Sequence, residues 1–114
     1  MHKLTFRDFG ALALSLFFVV GAAGNFMAPP DIAADYARWG YPSFFHYVTA
    51  ALEITTAGLL IFRRTRVTGA LLGCVVMASA VATLVWHVEY LHALAPIVVL
   101  AACVAIVAIN RRRG

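Results

Sequence analysis

Four apolar runs separated by short polar breaks take up most of this chain and leave it few ways to fold. They fall at about 9–28, 43–62, 67–86 and 93–109. Each is near the roughly 20 residues that a helix needs to cross a hydrocarbon core about 30 Å thick. A soluble domain of 114 residues needs a polar exterior, because small domains have much surface for their volume. A composition 63% hydrophobic and 12% charged supplies none. The expected fold is all-α: an integral membrane four-helix bundle that forms a single membrane domain over 1–114.

The charges set an expected orientation. Lys3 and Arg7 precede the first run, Arg63, Arg64 and Arg66 separate the second from the third, and Arg111, Arg112 and Arg113 follow the last. On an up-and-down path these 8 of the 9 Lys and Arg residues share one side, and only Arg38 faces the other. The positive-inside rule then places both termini in the cytoplasm, for a multi-pass protein of the cell inner membrane. Trp39, Tyr41, Tyr47, Trp86 and Tyr90 gather at the outer interface, where amphipathic rings are favoured. Net charge is +4, but it is split among short flanking clusters with no continuous basic face, which excludes nucleic acid as a partner.

Pro29-Pro30 ends the first helix, since proline has no N–H and its ring clashes with the preceding turn. The Gly21-Ala22-Ala23-Gly24 run imitates a signal cleavage site, but the apolar length before it is that of a full span, so a retained helix is expected. Ile32 to Trp39 reads as a short amphipathic helix in the interface, and Gly40-Tyr41-Pro42 as a turn. A loop from Trp86 to His92 joins the third and fourth spans. Cys74 and Cys103 lie at similar depth on antiparallel helices. With no CxxC pair they read as small buried hydrophobes rather than a redox couple.

Glu53 is the residue that a lipid-spanning composition does not explain. It sits mid-span, where an ionised carboxylate costs at least about 2.5 kcal/mol, so it must face the bundle interior or find a partner. At helical spacing His46, Thr49, Glu53 and Thr56 share one face. Thr83 and His87 are one turn apart on the third helix, and Asn25 is near the outer end of the first. These residues outline a polar cavity open to the outside with Glu53 at its floor. Glu53, His46 and His87 are the candidates for acid–base work, and Asn25, Thr49, Thr56, Thr83, Trp39 and Tyr41 for ligand contacts. The opposing reading is a single glutamate that hydrogen-bonds across helices and fixes packing. His87-x-Glu89-x-x-His92 lacks the spacing of a helical HExxH site, so no metal is expected.

Trp39-Gly40-Tyr41-Pro42, Ala51-Leu52-Glu53-Ile54, Gly58-Leu59-Leu60 before a basic turn, and Gly69-Ala70 opening the next helix together resemble the DoxX-like family of small bacterial membrane proteins. The resemblance covers nearly the whole chain. It implies a four-helix bundle with an interior glutamate. Its functional associations, with quinol oxidase and thiosulfate oxidation, redox stress and membrane-protein assembly, make a quinone the implied cofactor.

Three readings of function follow. In the leading one the bundle binds a small apolar, quinone- or lipid-like ligand around Glu53, or serves as accessory subunit of a membrane redox system. In the second it is a membrane enzyme in which Glu53 and a histidine carry out isomerisation or ring opening on an apolar substrate. In the third it is a structural or assembly subunit. The expected partners are the lipid bilayer, a small apolar ligand, and a second copy of the chain or a membrane redox protein.

Overall fold

A computed structural model describes residues 4–111. It is all-helical: α1 (Phe6–Met27), α2 (Pro30–Arg38), α3 (Phe45–Ile61), α4 (Arg66–Trp86) and α5 (Tyr90–Arg111). The four longer helices pack in the order α1, α3, α4, α5, and α5 touches α1 again along a smaller seam. Short turns make α3, α4 and α5 successively antiparallel, and the longer connection through α2 returns the chain so that α3 runs antiparallel to α1.

Helices α1, α4 and α5 are long and apolar enough to cross a membrane. The fourth apolar helix, α3, has 17 residues, two fewer at its start and one fewer at its end than the run at 43–62. At its start, Pro42, Ser43 and Phe44 form a turn, with Phe45 N–H bonded to the Pro42 carbonyl and Tyr47 N–H to that of Phe44. Helix α5 begins at Tyr90, so the connection from α4 is only His87–Glu89, shorter than the loop expected over 86–92.

Each apolar helix buries one stripe at alternating three- and four-residue steps and shows apolar side chains elsewhere. On α1 the stripe is Asp8, Ala11, Leu14 with Ser15, Phe18 and Ala22. Leu16 and Val20, on other faces, are each 63% exposed. Such an inside-out surface suits lipid rather than water. The stripes meet around Phe18, Leu60 and Cys103, all fully buried. Gly73 on α4 makes that meeting close: a Cβ there would stand 2.8 Å from the Cys103 sulfur and 3.2 Å from the Phe18 ring. Both cysteines are free, Cys103 fully buried and Cys74 half-buried.

Charge locks one end of the bundle. Thr5 and Asp8 form a capping box on α1, in which the Thr5 hydroxyl accepts from the Asp8 N–H and the Asp8 carboxylate accepts from the Thr5 N–H. The same carboxylate takes Arg63 Nε at 3.0 Å and Arg66 Nη1 at 3.0 Å. Arg66, 2% exposed, also donates to the Leu60 and Ile61 carbonyls at the end of α3. Those carbonyls have no partner within their own helix, and a guanidinium there also favours the helix dipole. The basic turn thus does more than flank a span, because Arg66 ties α3 to α1.

Candidate ligand-binding site

At the opposite end, two turns of the same type shape the site. Helix α2 starts on Pro30, whose missing N–H costs nothing at a helix start. It ends with Tyr41 N–H bonded to the Tyr36 carbonyl and Gly40 N–H to the Ala37 carbonyl. That pair of bonds requires a left-handed residue, and Gly40 supplies it at φ 85°. The turn brings Tyr41 back against Tyr36, with ring centroids 5.9 Å apart, and flat onto Phe45 at 4.5 Å. Helix α4 ends the same way, with Glu89 N–H on the Leu84 carbonyl and Val88 N–H on that of Val85. Here the left-handed position falls on a β-branched residue, Val88 at φ 60°, a strained choice that aims the next residue, Glu89, across the bundle end.

Glu89 clasps α2 to the α4–α5 connection. Its carboxylate accepts from Arg38 Nη2 at 2.8 Å, Arg38 Nε at 3.2 Å and Trp39 Nε1 at 2.9 Å. His92 Nδ1 lies 3.4 Å away, and Asp35 holds Arg38 from the other side at 2.9 Å. Hydrogen bonds from Arg38 and Trp39 hold the Glu89 carboxyl down at about 2, against an ordinary 4.5. A folded-state value below the unfolded one means that the clasp is complete above about pH 4.5 and fades as pH falls toward 2. Trp39 emission, read in a Trp86→Phe background, is expected to titrate with a midpoint near pH 2, and Glu89→Gln is expected to abolish that titration. A midpoint near 4.5 in the parent would mean that the clasp does not form.

Under α2, between it and the α3–α4 seam, lies a cavity of about 370 Å³. Its walls are mostly apolar, including Leu52, Leu72, Val76 and Met77, and the aromatic side chains of α2 and its turn cover its outer end. Polar groups enter at two places. At one, Glu53 (4% exposed) accepts a hydrogen bond on Oε1 from Asn25 Nδ2 at 2.6 Å. The same amide nitrogen donates to the Gly21 carbonyl at 3.0 Å, and Asn25 Oδ1 accepts from the Tyr36 hydroxyl at 2.5 Å. The Gly21 carbonyl can only accept, which assigns the amide orientation and makes Tyr36 the donor. Burial pushes the Tyr36 phenol above its usual range and so keeps that donor protonated. A relay Tyr36–Asn25–Glu53 therefore joins α2, α1 and α3. Gly21 is needed beside it, because a Cβ there would overlap the Glu53 carboxylate. At the second place, Tyr41 donates to Thr83 Oγ1 at 2.6 Å while Thr83 donates to the Ser79 carbonyl.

Of the residues singled out from sequence, Glu53, Asn25, Thr49, Thr83, Trp39 and Tyr41 line this cavity. Thr56 lies elsewhere: its hydroxyl bonds the Leu52 carbonyl, and its methyl faces Gly73 in the core. His46 bonds the Asn25 backbone carbonyl through Nδ1 at 2.8 Å, so it supports the relay from behind and Nδ1 carries the proton. His87 bonds the Thr83 carbonyl of its own helix. Neither histidine has a hydrogen bond to Glu53 among the described residues. No group of three His, Cys, Asp or Glu able to hold a metal occurs among the described residues. Sequence reasoning missed Tyr36, because α2 shows only its amphipathic period and not where it docks.

The model of the DoxX-like family matches residues 10–106, which include every helix that forms this site. The chain belongs to the DoxX-like family. Membership and the apolar helices together mark it as a membrane protein. No curated protein and no solved structure matches this DoxX-like chain, so the chemistry of its site rests on its own residues.

Proposed function

We propose that this protein is a single four-span domain of the inner membrane that binds a small apolar molecule beneath α2, with the Glu53 carboxyl as the polar handle. The apolar cavity with one buried carboxyl on its wall carries the reading, since ligand sites pair apolar walls with a few placed polar groups. A quinone or a single-chain lipid has the matching chemistry, an apolar body and a head that hydrogen-bonds. In this reading α3 is the fourth span: 17 residues reach about 25 Å, which the flanking Phe44 and Phe62 extend. The charge asymmetry supports a cytoplasmic location for both termini and the α3–α4 turn.

Native mass spectrometry tests the reading on protein released in mild detergent, with a short-chain quinol (the reduced form of a quinone) and a monoacylglycerol as added probes, since the hydroxyls of both can donate to the carboxylate. The parent is expected to retain at least one probe, and Glu53→Gln to weaken that retention about tenfold, the worth of one charge-assisted hydrogen bond. If the parent retains neither probe, or Glu53→Gln retains as much as the parent, the binding reading fails. A second reading, acid–base catalysis on the same ligand, draws on one observation: Glu53 Oε2 takes no hydrogen bond among the described residues, so a reacting atom could approach it. A probe returned with altered structure would favour that reading.

A further inference from the structure

The basic end of the bundle holds a second cavity, of about 390 Å³, separate from the one around Glu53. Its lining is polar and drawn from three helices and a turn: Thr5, Arg7 and Asp8 at the start of α1, Arg63 in the turn, Arg66 and Val67 on α4, and Asn110 on α5. Three arginines and one carboxylate are in this lining. Asp8 is the only acidic residue at this end, for Asp31, Asp35 and Glu89 are at the other end and Glu53 is mid-bundle.

The lock described above accounts for Asp8, Arg63 and Arg66 but not for the cavity or for Arg7. All lone-pair directions of the Asp8 carboxylate are engaged, by Arg63, Arg66 and Thr5. It therefore has no capacity left to neutralise Arg7, which is half-buried, lines the cavity and has no ion pair among the described residues. Among the described residues the cavity lining keeps an excess of positive charge, at the end of the bundle that carries the basic turn. Guanidinium groups match the oxygens of a phosphate in pairs, and the Asn110 amide adds a neutral donor or acceptor on the facing helix.

We propose that this cavity is a binding site for an anionic phosphate group, with Arg7 as the residue that contacts it and Arg63 and Arg66 as fixed charges behind. Two sources offer that chemistry, an anionic phospholipid headgroup and free phosphate. Delipidated protein in detergent is given equal amounts of phosphatidylglycerol and phosphatidylcholine and read by native mass spectrometry, with and without inorganic phosphate. Phosphatidylglycerol is expected to be retained about fivefold or more over phosphatidylcholine, and Arg7→Gln to remove about fivefold of that preference, the worth of one arginine near a charged surface. Arg64→Gln, an exposed neighbour outside the cavity, is expected to leave it unchanged. Helical content by circular dichroism checks that both variants are folded.

Displacement of phosphatidylglycerol by millimolar phosphate, or phosphate-dependent thermal stabilisation without lipid that Arg7→Gln loses, would assign the site to a free anion. Retention of the lipid against phosphate would assign it to the headgroup. Equal retention of both lipids with no response to phosphate overturns the proposal. So does an Arg64→Gln loss as large as that of Arg7→Gln, since a diffuse basic surface would then suffice.

Discussion

Phe18→Ala is expected to destabilise the bundle by about 3 kcal/mol, the largest effect of any single truncation. Phe18 is fully buried at the centre of the bundle, where its ring reaches from α1 to the space left by Gly73 on α4 beside Cys103. In water-soluble cores such a truncation costs about 3–5 kcal/mol, partly from lost transfer out of water and partly from the cavity left behind. Between transmembrane helices the alternative solvent is lipid, so the transfer part shrinks while lost packing and the cavity remain. The lower end of the range follows. Phe17, its neighbour in sequence, packs edge-on to Phe18 at 5.5 Å but is 41% exposed. Phe17→Ala is expected to cost less than half as much. Equilibrium unfolding in mixed micelles measures both, and equal losses would mean that the four-helix packing centre is misplaced.

The second large effect is expected at Asn25. Replacing it with leucine leaves two groups without their Asn25 partner, the half-buried Tyr36 hydroxyl and the buried Glu53 Oε1. Each orphaned polar group costs about 1–3 kcal/mol, so Asn25→Leu is expected to lose at least about 2 kcal/mol. Glu53→Leu alone should lose less, because the Asn25 amide keeps the Gly21 carbonyl and its bond from Tyr36. The double variant removes donor and acceptor together and is expected to recover at least about 0.5 kcal/mol of the summed losses. Strict additivity in this cycle would show that the relay carries no energy. Far-ultraviolet circular dichroism in the same micelles confirms that each variant stays helical before its unfolding is compared.

Much of the molecule was legible in the residues alone. The apolar runs, their proline and glycine breaks and the amphipathic segment at 32–39 follow from local chemistry, and they reappear as α1 to α5 with ends shifted by three residues or fewer. Glu53 was legible for the same reason: a charge amid apolar residues is conspicuous wherever the helix turns out to point. The grouping of Asn25 with Glu53 also followed, because both fall on the interior stripes of antiparallel neighbours.

Residues far apart in sequence show where local chemistry stops. The Asp8 lock spans more than fifty positions, and nothing in Thr5-Phe6-Arg7-Asp8 beyond a capping box announces it. Tyr36 and Glu89 look like ordinary interface residues until α2 folds across the bundle end and the strained turn at Val88 aims Glu89 at Arg38. His46 and His87 illustrate the converse. Their spacing places them on the right faces, but a few tens of degrees of helix rotation decide whether an imidazole reaches a carboxyl or a backbone carbonyl. Periodicity therefore determined which residues face inward. Helix rotation and turn geometry, set by close packing at Gly21 and Gly73, selected which inward groups touch, because a hydrogen bond needs accuracy within an ångström that a repeat of 3.6 residues does not contain.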